Sequence, residues 1–149
     1  MTDLKIDRGA EDDIAGEHQE LRQLLRQFRE LLAARDADSA ALTIGVDELT
    51  HVIEAHFRHE EMTDGHFAEL LAVAPRLQHR IEALKDQHLG FLAALEGLRD
   101  SARSHSGSAQ CWQAMQFQFE EFSVRFREHE RIENSLVQEV YERDLGESD

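Results

Sequence analysis

Four stretches of the chain carry apolar residues that step by four and then three positions, the spacing that puts side chains along one stripe of a helix. The first runs through Ile14, His18, Leu21, Leu25, Phe28 and Leu32. The second takes in Leu42, Val46, Leu49, Ile53, His56 and Glu60. Leu77, Ile81, Leu84, His88, Phe91, Leu95 and Leu98 make the third, and Met115, Phe119, Phe122, Phe126, His129, Glu133, Leu136 and Val140 the fourth. This pattern predicts helices over about 12–34, 39–64, 75–101 and 108–144.

The breaks between stripes carry stop and start signals. Asp12 or Asp13 is placed to cap the first helix, and Arg35–Ser39 reads as a turn with Ser39 as the next N-cap. Thr63-Asp64-Gly65 ends or bends the second helix, and His66 to Ala74 fits a short helical turn ahead of Pro75, which suits a first-turn position. Ser101 to Ser108, with Gly107, connects the third stripe to the fourth, and Gly146 closes the last helix. Four long helices joined by short loops predict an all-α fold, an up-down-up-down antiparallel four-helix bundle. No linker divides residues 1–149, so one domain is expected.

Every polar interruption of these stripes is a His or a Glu: His18, His56, Glu60, His88, His129 and Glu133. Burying an imidazole without a partner costs a few kcal/mol, and a bare carboxylate considerably more. Six such groups in one core call for a shared partner, and a pair of metal ions satisfies all of them. His56 and Glu60 are four residues apart, as are His129 and Glu133, so each pair projects from one face of its helix. The order also repeats. A lone His18 is followed 38 residues later by His-x-x-x-Glu, and a lone His88 by the same motif after 41. The flanks Glu17-His18-Gln19-Glu20-Leu21 and Gln87-His88-Leu89-Gly90-Phe91 agree modestly. Two such halves predict a pseudo-two-fold site with four imidazoles and two carboxylates.

The remaining histidines, His51, His59, His66, His79 and His105, fall off the stripes or in loops and read as surface residues, with His59 the one nearest the site. Glu61 lies about 140° around the helix from His56 and reads as solvated. Glu17, Glu54, Asp86 and Gln87 are candidates to accept an imidazole N–H. Cys111 and Trp112 read as packing, and Tyr141 stands too far from Glu133 to share its site. Phe119, Phe122 and Phe126 read as core that keeps the approach to the site dry.

Composition narrows the function. Sixteen basic residues against 31 acidic ones leave a net charge of −15, which repels phosphate backbones and anionic membrane surfaces. No apolar run approaches the length of a membrane span. Met1-Thr2-Asp3-Leu4-Lys5 lacks the pattern of a signal peptide, and a single cysteine fits a reducing compartment, so a cytoplasmic location is expected.

The pattern His18, His56-Phe57-Arg58-His59-Glu60-Glu61, His88 and His129-x-x-x-Glu133 resembles the hemerythrin-like (HHE cation-binding) domain in its bacterial cytosolic form, over about residues 12–144. The resemblance implies a non-haem di-iron centre, Fe2+/Fe3+ and oxo- or hydroxo-bridged. His18 and His56 would serve one ion, His88 and His129 the other, and Glu60 and Glu133 would bridge. Spacing alone suits iron, manganese or zinc alike. Hemerythrins that carry oxygen reversibly have one more His, four residues before the position of His88, where this chain has Leu84. His79, nine residues before His88, is out of phase and does not replace it. The expected function is therefore binding of dioxygen, nitric oxide or another small oxidant for sensing or detoxification. The alternatives are a peroxide-consuming di-iron enzyme and a non-catalytic metal-holding or partner-binding bundle.

Overall fold

The stripes fold as helices, and the differences lie at their ends. The computed structural model describes the backbone of residues 8–145 and the side chains of residues 15–145. The residues Met1 to Lys5, the side chain of Ile14 and the stop at Gly146 lie outside these bounds. Helix α1 spans Arg8–Ala34, α2 Ser39–Glu61, α3 His66–Val73, α4 Gln78–Arg103 and α5 Ala109–Val140. A 3₁₀ turn, Pro75–Leu77, leads into α4, and a π-helical turn, Tyr141–Leu145, follows α5.

Asp12 and Asp13 do not cap α1, because the helix already includes Arg8. Nor does Ser39 cap α2. The cap is Asp38, whose Oδ1 accepts from the Ala41 amide at 2.8 Å. Ser39 instead donates its hydroxyl to the carbonyls of Ala102 (2.7 Å) and Arg103 (3.1 Å), satisfying the free end of α4. Ser108 caps α5 by accepting from the Cys111 amide at 3.1 Å. The turn between α2 and α3 needs Gly65, since a Cβ there would sit 2.1 Å from the His59 carbonyl oxygen.

Among the described residues the protein is all-helical. The four long helices form a bundle in which α1 packs on α2 and α5, and α4 packs on the same two. Every described stripe residue is buried, and the buried His and Glu side chains divide the apolar interior in two. On one side all four long helices contribute, from Leu21 to Leu32, Leu42 to Phe57, Phe91 to Ala102 and Trp112 to Phe126. On the other, α3 folds in with Phe67 and Leu70 against Leu77, Ile81 and Leu84, closed by Leu136 and Val140 of α5. Arg76 and Arg80 hold Glu139 there, and Arg76 also holds Asp144. No helix among the described residues is long and apolar enough to cross a membrane.

Candidate metal centre

Each of the four long helices delivers its stripe histidine to the same level of the bundle. His18, His56, His88 and His129 are all buried, and so are Glu60 and Glu133. Ligand atoms of His18, His56, Glu60 and Glu133 lie within 4.8 Å of one another, and the same holds for Glu60, His88, His129 and Glu133. The two carboxylates are common to both groups. The helical i to i+4 spacing brings Nε2 of His56 to 3.2 Å from Glu60, and Nε2 of His129 to 3.5 Å from Glu133. Across the bundle, Nε2 of His18 stands 3.3 Å from Glu133 and Nε2 of His88 2.9 Å from Glu60.

The outward nitrogen of each ring faces an acceptor. Nδ1 of His56 donates to Glu17 at 2.6 Å, Nδ1 of His88 to Glu61 at 2.5 Å and Nδ1 of His129 to the Gln87 amide oxygen at 2.7 Å. Nδ1 of His18 faces Glu130 at the longer distance of 3.8 Å. A carboxylate or amide oxygen accepts from Nδ1 of His56, His88 and His129, so Nδ1 of these three rings carries a proton and Nε2 is the nitrogen left to face a metal. All four Nε2 atoms and all four oxygens of Glu60 and Glu133 are buried without a hydrogen-bond partner. Eight orphaned polar atoms converging on one space are a cost that a bound cation would relieve.

The charges point the same way. Burial and the neighbouring Glu133 push the Glu60 carboxyl well above its ordinary range. Burial acts on Glu133 in the same direction, but Glu60, His129 and His18 outweigh it and hold Glu133 well below. Two carboxylates this close thus retain one proton between them until a cation replaces it. Burial disfavours charge on His56, yet Glu17 and Glu60 prevail and raise its imidazole to about 10.

Residues 10–141 match the hemerythrin HHE cation-binding domain. The chain belongs to this family. The HHE domain binds metal ions, and the buried His and Glu groups here are able to hold them. No curated protein and no solved structure matches the chain.

Three side chains stand where the sequence did not place them. Glu61 is not merely solvated. Its angle from His56 on its own helix is irrelevant, because it reaches across to His88 on α4. Glu130 is buried beside His18, although it follows His129 directly and falls outside the α5 stripe. His66 is not a surface residue but 6% exposed, with both ring nitrogens unpartnered. Burial lowers its imidazole to about 4, and it lies close enough to Glu133, His18 and His56 to feel their charges. Of the other histidines, His51 and His79 are exposed and His59 is an exposed partner of Glu17. His105 is half-buried, its ring 4.3 Å from that of Trp112. Glu54 and Asp86 are exposed and meet none of the four rings, whereas Glu17 and Gln87 each hold one.

Proposed function

We propose that this HHE domain is a non-haem di-iron protein that binds dioxygen, nitric oxide or another small oxidant for sensing or detoxification. The observation that carries the reading is the set of eight inward-facing, unpartnered nitrogen and oxygen atoms. His18 and His56 would hold one ion and His88 and His129 the other, with Glu60 and Glu133 shared. Iron is favoured by the family; the same donors suit manganese or zinc. The helix pairing fits an up-down-up-down antiparallel bundle. The single thiol fits a cytoplasmic protein, and the net charge of −15 argues against nucleic acid as a partner.

An iron pair would supply Lewis acidity and a store of electrons. The protein's part is to hold and orient. Glu17, Glu61 and Gln87 fix three imidazoles with Nε2 inward. Phe57 stacks on His88 at 3.8 Å between centroids, and Phe91 meets His129 edge-on at 5.2 Å, so two of the rings are held by aromatic packing. A cavity of about 650 Å³ between α4 and α5 has Gln87 and His129 among its lining residues, and gives a small molecule a route toward the cluster. His66 offers a further buried, uncharged ring whose unpartnered nitrogens can donate to or accept from a ligand that reaches it.

A second reading, consumption of peroxide, is favoured by Leu84. It is buried and lies one helical turn before His88, where it offers no donor. A centre held by six side chains keeps positions open to an exogenous oxidant. The test is the optical spectrum of iron-reconstituted protein under oxygen and then under peroxide, with gas evolution followed, for wild type and Leu84→His. Wild type should oxidise rapidly in air and turn over peroxide, and Leu84→His should do so several-fold more slowly. A long-lived, reversible spectral change under oxygen, identical in both proteins, would overturn this reading of Leu84 and make a further side chain the completing ligand.

A further inference from the structure

A second polar cavity lies between α1 and α5. Arg22, Arg26 and Arg29 follow one another at i, i+4 and i+7 on α1, and Ser123, Arg127 and Glu130 repeat that spacing on α5. The six line a cavity of about 180 Å³. Like charges at i, i+4 repel, so an arginine row normally draws carboxylates. This chain has 31 acidic residues to offer. Yet among the described residues only Arg29 of the four arginines is ion-paired, its Nε donating to Glu120 at 2.6 Å. Among the described residues, Arg22, Arg26 and Arg127 have no carboxylate within 4 Å.

The lining also holds unpartnered groups. Ser123 is 3% exposed and its hydroxyl has no hydrogen-bond partner. Glu130 is 4% exposed, and its Oε2 likewise has none, since His18 at 3.8 Å is beyond hydrogen-bond distance. Unsatisfied buried groups of this kind are costly and imply a missing partner. Guanidinium groups recognise oxyanions, often through two parallel N–H bonds. A buried carboxylate in the same cavity rejects an anion that has no proton, and accepts a hydrogen bond from one that has.

We propose that this cavity binds a protonated oxyanion of the inorganic phosphate class. Its charged oxygens face Arg22, Arg26 and Arg127, it takes the Ser123 hydroxyl as a donor, and its own P–OH donates to Glu130. None of the six cluster residues lines this cavity, although Glu130 also faces His18 at 3.8 Å, and the proposal stands whether or not the cluster holds iron.

The test is isothermal titration of the metal-loaded chain with inorganic phosphate at pH 8 and low ionic strength, where phosphate keeps one proton. Sulfate and a phosphate monoester, glycerol phosphate, have none at that pH. Phosphate should saturate one site per chain, with both competitors weaker by about ten-fold or more. The Arg26→Ala/Arg127→Ala double variant should lose about ten-fold or more in phosphate affinity, with metal content and optical spectrum unchanged. Glu130→Gln should bring phosphate and sulfate to within about three-fold of each other. Absence of saturable binding, equal affinity for phosphate and sulfate in wild type, or full phosphate affinity in the double variant would each overturn the proposal. The last result would place phosphate elsewhere, on the metal ions among other possibilities.

Discussion

In one half of the cluster His56 is held by the Glu17 carboxylate, while His18 faces Glu130 across 3.8 Å. In the other, His88 is held by Glu61 and His129 by the neutral amide of Gln87. There His88 lies between the rings of Phe57 and Phe67, and His129 meets Phe91. The sequence repeat survives in one respect. The residue just before each lone His, Glu17 or Gln87, holds the His of the partner motif. It fails in another, since Glu61 follows Glu60 whereas Glu130 follows His129. The bundle thus reuses one arrangement of inward-facing donors, while the supporting residues make one half charged and polar and the other aromatic. A carboxylate behind an imidazole makes it a more basic ligand than an amide does, so the two ion positions should differ in affinity.

The largest effect should come from the carboxylates that both halves share. Glu133→Ala should release at least one ion and remove several kcal/mol of metal-dependent stabilisation, on the order of 3 kcal/mol, because each half loses a ligand at once. Metal analysis with thermal melts checks this, and the exposed His79→Ala should leave both quantities at wild-type values. Equal losses in the two variants would contradict the shared role.

A smaller effect should separate the halves. Glu17→Gln weakens the acceptor behind His56 and should lower the affinity of that ion about 10-fold, while Gln87→Glu should tighten the ion held by His129. Stepwise removal of metal by a chelator reads both. The order in which the two ions leave should change in Gln87→Glu.

Two buried imidazoles, His56 and His66, should give metal-free protein opposite responses to pH. His56 is raised from 6.5 to about 10, so its stabilising contribution is complete below pH 6.5 and is lost as pH rises through about 10. His66 is lowered from 6.5 to about 4. Above pH 6.5 it is neutral folded or unfolded. As pH falls from 6.5 toward 4 the unfolded chain takes up a proton that the folded chain resists, and stability drops by roughly 2–3 kcal/mol. His88 is lowered by burial as well, so His66→Phe should reduce that acid-side slope in denaturation curves without removing it, and leave the alkaline slope in place.

The long helices were legible because each runs for several turns with one buried stripe, and every described stripe residue is buried. The six His and Glu residues were legible for the same reason, as the polar members of those stripes. Their supporters were harder to read. Glu61 and Glu130 lie off their own stripes and act on a neighbouring helix, a relation that the phase of a single helix does not carry. His66 belongs to the eight-residue α3, too short for a period to show which face turns inward. Ser39 was read as a cap from its residue type, but Asp38 one position earlier captured that role, leaving the Ser39 hydroxyl for the end of α4.

Metal stoichiometry tests the central claim most directly. Protein reconstituted with ferrous iron in the absence of oxygen, freed of excess metal and analysed for its elements should hold two ions per chain. His18→Ala and His88→Ala should each fall toward one, since each removes a ligand from a different half. Less than one ion per chain in the wild type, or two retained in both variants, would contradict the assignment of these six side chains to a two-ion centre.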